Sequence, residues 1–136
     1  MKLLLFYAHK WWFKTAAKSL PHVPETNRED SMENAVVVFY HVEQEDEEKG
    51  KSLLDKFLKN IKWLAGKFDT RNVVIHSFNH LSSSKGSAEY AEGFINKAAE
   101  KLQHSGYTVL STPFGYFNEF LIHVGGESLA KVFKEL

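Results

Sequence analysis

Two stretches of helical periodicity, each set between runs of strand-forming residues, constrain this chain more than any other feature. From Ser52, apolar residues recur at Leu53, Leu54, Phe57, Leu58, Ile61, Leu64 and Phe68, along one face of a helix that Gly66 ends or frays. Ala88, Ala91, Ile95, Ala98, Ala99 and Leu102 repeat the pattern, with Gly106 placed to cap the C-terminus. Around them lie strand-like runs: residues 3–7, apolar throughout and suited to cover on both faces, 35–42 (AVVVFYHV), 72–78 (NVVIHSF), 107–110 and 120–124. Strands interleaved with helices predict an α/β sandwich, a mixed β-sheet covered by two long helices. Four further readings complete the pass. Residues 10–18 mix Trp11, Trp12 and Phe13 with lysines and predict a second, more exposed strand; Pro21 and Pro24 enforce a loop after it. The charge run 43–50 (EQEDEEKG) predicts a solvated connection, and residues 127–136 a short closing C-terminal helix. A length of 136 residues fits one domain, 1–136.

Charge and composition narrow the function. Seventeen basic and seventeen acidic residues cancel, so the excess positive charge that drives autonomous nucleic-acid binding is missing, and any RNA contact must be local. A stripe of Lys10, Lys14 and Lys18 is one candidate for it. Absence of cysteine removes disulfides, thiolate metal sites and thiol redox chemistry. The apolar opening run lacks a small-residue cleavage site, and no run approaches the ~18 apolar residues of a membrane span, so a soluble cytoplasmic protein is expected. Neither GxGxxG nor GxxxxGK[ST] is present.

Seven histidines invite a metal, yet none falls in an HExxH pattern. His76 and His80 share a face only on a helix, and they read as strand into loop. No metal and no cofactor are expected. Ser82, Ser83 and Ser84 lack a GxSxG setting and are expected to cap the following helix. His80 lies just past a strand end, where loops hold reactive groups against a rigid scaffold, and an imidazole can donate or accept a proton there. In residues 113–120 (PFGYFNEF), a proline and a glycine bracket a turn presenting Phe114, Tyr116 and Phe117 together, as core packing or as a surface on which a base stacks.

The segments FNHLSS (78–83) and PFGYF (113–117), with a weakly similar N-terminal strand and Leu129-Ala130 near the end, resemble the editing domain of archaeal threonyl-tRNA synthetases over nearly the whole chain. The resemblance implies a D-aminoacyl-tRNA deacylase-like fold and an aminoacyl-tRNA ester hydrolase that removes serine from threonine tRNA. It acts by positioning water and the substrate's ribose hydroxyl. Such editing answers a physical limit, since one missing methyl gives a synthetase only about 1 to 3 kcal/mol of discrimination.

By the same resemblance, His80 and Asn118 are the catalytic candidates, and Ser77, Phe78, Asn79, Phe114, Tyr116, Phe117 and Lys131 are the substrate-binding ones. Several depart from the family pattern. Asn118 stands where a functional lysine is usual, Lys131 where glutamate is usual, and Phe117 where tyrosine is expected. Ser77 and Asn79 replace a proline and an alanine; Tyr7 and His9 replace a histidine and an aspartate. The implied partners are the aminoacylated 3′ end of threonine tRNA and threonyl-tRNA synthetase, with no membrane; a homodimer is left open. A D-aminoacyl-tRNA substrate, or a degenerate module that binds tRNA or the synthetase without hydrolysis, are the rival readings, and a freestanding factor and an excised domain both fit.

Overall fold

The structure is a computed structural model describing residues 1–136. Its strands are β1 (Lys2–Lys18), β2 (Glu29–His41), β3 (Asn72–Ser77), β4 (Thr108–Ser111), β5 (Tyr116–Val124) and β6 (Lys131–Glu135), and its helices are α1 (Lys51–Lys67) and α2 (Ala88–His104). They form one sheet in the order β4-β3-β2-β1, and β5 and β6 share the outer edge of β1. The β2/β3 and β3/β4 pairs are parallel, joined through α1 and α2 in turn; β1 is antiparallel to β2, β5 and β6. This is the mixed sheet with two long helices that the periodicity predicts.

Both helices lie on one face of the sheet. The apolar stripe of α1, Leu53, Leu54, Phe57, Leu58, Ile61 and Leu64, packs with Phe94, Ile95, Ala98 and Leu102 of α2 on Leu3, Leu5, Val36, Val38 and Ile75. Each fully buried Leu or Ile contributes about 1.5 to 3 kcal/mol, so this layer dominates stability. No helix in it is long and apolar enough to cross a membrane.

The opposite face is covered by the sheet's own curl. Leu4, Phe6 and Ala8 of β1 point to it, and so do Trp11 and Phe13, three and five residues beyond Ala8. Strict alternation would send those two rings to the other side. A register shift in the β1/β5 ladder between Ala8 and Lys10, opposite Asn34 with φ 50°, supplies the extra step. The strand folds back as a result. Phe39 pairs with Leu4, about 23 Å along a flat strand from Trp11, yet the Trp11 and Phe39 rings are 6.0 Å apart.

Four expectations are corrected. Residues 10–18 are not a separate, exposed strand but the continuation of β1, with Trp11 and Phe13 fully buried under the curl. The run 43–50 is not simply solvated: it forms a short 3-10 helix, Gln44–Glu48, in which Glu43 and Asp46 are buried and each accept a 2.8 Å bond from the Met1 amino group. In place of a closing helix there is one 3-10 turn, Ser128–Ala130, and then β6, because the first half of β1 offers an open edge to pair with. The serines at 82–84 do not cap α2; Ser87 does, accepting a bond from the Tyr90 amide at 3.1 Å.

Candidate functional site

A cleft of about 480 Å³ opens where β3 ends, beside the first turn of α2 and under residues 114–120. It is lined by Ser77, Phe78, Asn79, His80, Phe114, Tyr116, Phe117 and Asn118, so two segments distant in sequence meet in one place. Lys131 is not among them. It opens β6 opposite Phe6, and its Nζ donates to the Glu127 carbonyl at 3.3 Å. Tyr7 and His9 also lie elsewhere, Tyr7 stacked on Phe68 at 4.2 Å and His9 beside His123 at 4.9 Å. A larger groove, about 990 Å³, runs between α1 and α2 but contains none of the predicted residues.

The loop carrying Asn79 and His80 is pinned to the end of β2. His41, fully buried, accepts at Nδ1 from the Leu81 amide at 3.0 Å and therefore donates from Nε2 to the Ser84 carbonyl at 2.6 Å. The Ser82 hydroxyl donates to Glu43 Oε2 at 2.7 Å, the Gln44 amide to Ser84 Oγ at 2.9 Å, and the Gly86 amide to the Val42 carbonyl at 2.9 Å. A Cβ on Gly86 would sit 2.7 Å from Val42 Cγ1 and 2.9 Å from the Glu43 carbonyl oxygen, so the approach requires glycine. Burial alone would raise the Glu43 carboxyl, but bonds from the Met1 amino group, Ser82 and Lys2 outweigh it and hold the pKa at about 2.

The aromatic turn is pinned as firmly. Gly115, at φ 81°, has its carbonyl bonded by the Ser19 amide at 2.7 Å. The Tyr116 hydroxyl donates to the Pro24 carbonyl at 2.6 Å and accepts from the Thr26 amide at 2.9 Å. It holds the loop behind the cleft and is spent on that task. Phe117 stands 64% exposed, and Asn118 donates from Nδ2 to the Tyr116 carbonyl at 3.3 Å, leaving Oδ1 buried without a partner. His80 is exposed, its ring edge-on to Phe78 at 5.1 Å.

His76 also lines the cleft, a role that no motif in the chain marks. It is 5% exposed, enclosed by the rings of Trp11, Phe39 and Phe120 at 5.1 to 5.2 Å, with Nδ1 bonded to Thr112 Oγ1 at 3.0 Å. Burial lowers its pKa from the ordinary 6.5 to about 4, so the ring is neutral at pH 7. Inward alternation on β3 is the only local signal, and it marks a core position as readily as a site.

No aspartate or glutamate lines the cleft, and its cationic side chain is Lys85. Ser87 is committed to the helix cap and to Glu47, and no group of three or more His, Cys, Asp or Glu side chains is arranged to hold a metal ion. The arrangement can bind, orient and hydrogen-bond. Of its hydroxyl–base pairs, Thr112 with His76 has its hydroxyl outside the lining and Ser87 with Glu47 is the one that caps α2, so neither presents a free nucleophile.

A family model described as the archaea-specific editing domain of threonyl-tRNA synthetase matches residues 1–136. Among curated relatives, threonine–tRNA ligase of Thermococcus sibiricus is 27% identical over 135 residues, 97% of this chain, and that of Hyperthermus butylicus is 29% identical over 138 residues. The enzyme of Methanococcus aeolicus is 29% identical over the full chain. In each case the chain spans 22% of the relative's length. Among solved structures, the c-Myc DNA Unwinding Element Binding Protein superposes with a TM-score of 0.72 at 14% identity, covering 100% of this chain and 99% of that one. At that identity the likeness shows a shared fold alone.

Proposed function

Since the chain belongs to the archaea-specific editing-domain family of threonyl-tRNA synthetase, we propose that it hydrolyses the ester of mischarged seryl-tRNA for threonine, with the cleft receiving the aminoacylated terminal adenosine. The observation that carries this reading is the convergence on one cleft of every site residue the resemblance implies except Lys131. The chemistry suits the pocket. A developing oxyanion needs donors rather than carboxylates, and the cleft offers His80 and the first turn of α2, whose backbone dipole favours negative charge, while Asn118 Oδ1 can accept from the attacking water. Exposed Phe117 and half-buried Phe114 supply faces on which adenine stacks. With no enzyme nucleophile at hand, water attacks the ester carbonyl, positioned by these donors and by the substrate's own ribose hydroxyl.

The tRNA reaches the cleft in the cytoplasm from threonyl-tRNA synthetase, the protein to which the longer relatives belong. The deciding experiment compares half-lives of seryl- and threonyl-tRNA for threonine with and without protein. Serine ester is expected to disappear faster; half-lives equal to the protein-free controls at saturating protein would remove the hydrolytic reading. A binding-only module is then what remains, and two observations favour it: uncharged Asn118 stands where the resemblance implies a lysine, and the Tyr116 hydroxyl is already occupied.

A further inference from the structure

His76 is the buried polar side chain of the cleft that the reading above leaves without a task. Thr112 occupies Nδ1, and no protein group bonds Nε2. The side-chain polar atoms that are both buried and unpartnered are Trp11 Nε1 and Asn118 Oδ1. His76 Nε2 is not one of them, so on this 5% exposed residue it keeps its accessible surface where the residue lines the cleft. Aromatic rings on three sides prevent the imidazole from turning away.

We propose that His76 is a specificity-determining residue that contacts the bound aminoacyl group, with Nε2 pairing with the side-chain hydroxyl of the amino acid. This rests on reading the cleft as the editing site. A substrate of that kind brings an ammonium, ribose hydroxyls and the amino-acid hydroxyl. The ammonium finds no carboxylate anywhere in the lining, and a neutral nitrogen set in an aromatic wall is a poor site for a charge. A small uncharged hydroxyl on a short carbon chain matches both the nitrogen and the wall. Burial keeps the ring neutral down to about pH 4, so the pairing holds across the physiological range. A site built to bond a hydroxyl discriminates against the analogue that lacks it, because the buried nitrogen is then left unpaired.

The test uses two non-hydrolysable probes, adenosines carrying serine or alanine in amide linkage at the 3′ position. The unmutated protein is expected to bind the seryl probe about fivefold to tenfold more tightly than the alanyl one. His76→Phe, which conserves volume and aromatic contact, brings that ratio to about one, and His76→Gln restores part of it through the side-chain amide. In the unmutated protein, the Nε2 resonance of His76 shifts on adding the seryl probe and not on adding the alanyl probe. A preference retained in His76→Phe, or an Nε2 resonance indifferent to the seryl probe, overturns the role of His76 while leaving the editing cleft intact. Binding of neither probe overturns both.

Discussion

The amide of Asn118 is oriented by the chain itself: Nδ2 is bonded to the Tyr116 carbonyl, so Oδ1 is the end that waits, buried and unpaired. An unsatisfied buried acceptor costs about 1 to 3 kcal/mol, a cost that function sites tolerate and cores do not. Asn118→Ala is therefore expected to keep or raise the thermal midpoint while slowing ester hydrolysis by up to about 10²-fold, because the acceptor that orients the attacking water or the ribose hydroxyl is lost. A variant that loses stability but hydrolyses normally would place Asn118 in the scaffold. The second residue-scale prediction concerns His76, whose pKa falls from 6.5 unfolded to about 4 folded. Between those values the unfolded chain binds more protons, so stability is lost as pH falls through that window, about 2 kcal/mol by pH 5. The thermal midpoint should drop by several degrees from pH 7 to pH 5, and by clearly less in His76→Phe; equal drops would sink the assignment. What was legible of the site follows from locality. Phe78 to His80 and Phe114 to Asn118 are contiguous segments, readable as motifs. His76 becomes part of a cleft only because the curl lays Trp11 and Phe120 against it. Lys131 matched a motif position, yet its strand pairs with Phe6, nine positions along β1 from the Thr15 that faces Asn118.

At the scale of elements, the loop over residues 78–86 takes its shape from the end of β2 rather than from its own sequence. His41 holds two of its backbone groups, Glu43 one hydroxyl and the Val42 carbonyl one amide. Gly86→Ala would force a Cβ onto the Glu43 backbone, which cannot swing aside as a side chain tip can. The expected result is a loss of about 1 to 3 kcal/mol, with faster hydrogen exchange at the Leu81 and Gly86 amides than in the core of β2. Unchanged exchange there would mean the loop is held by other contacts. The two helices and strands 35–42 and 72–78 were legible because their apolar periods are long and internally consistent. The closing segment was not. Leu129, Val132, Phe133 and Leu136 satisfy a helical spacing, while Val132 and Leu136 also satisfy alternation, and the choice fell to pairing with Leu3 to Phe6, more than a hundred residues away. The same holds for residues 10–18, where lysines at Lys10 and Lys14 suggested exposure. They are the outer face of a strand whose inner face a register shift had turned by one position.

Across the whole molecule, one group of buried charges joins parts of the chain that no element connects. The Met1 amino group, fully buried, donates to Glu43 and Asp46; Lys2 adds a 3.0 Å bond to Glu43, and Lys49 a 3.1 Å contact to Asp46. Lys49 also donates to the Leu136 carbonyl, and Glu43 receives the Ser82 hydroxyl of the cleft loop. Two features separate this group from a surface pair such as Lys18 with Glu25, where Glu25 is 87% exposed and solvent screens the attraction. Every bond partner of the Asp46 carboxylate is another charge or a backbone amide, and Asp46 itself has no exposed surface. Asp46→Ala would leave the Met1 amino group with a single counter-charge, take a second partner from Lys49 and unpair the Glu43 amide, so a loss of about 3 to 5 kcal/mol is expected in urea unfolding. Because the Met1 amino group and Asp46 have no exposed surface, 1 M salt should change the stability of the parent protein little, whereas a network of fully exposed pairs would weaken markedly. A loss below about 1 kcal/mol in Asp46→Ala, or a steep decline of the parent with salt, would show that the charge run is solvated after all and that burial of Glu43 and Asp46 contributes nothing to holding the two chain ends and the cleft loop together.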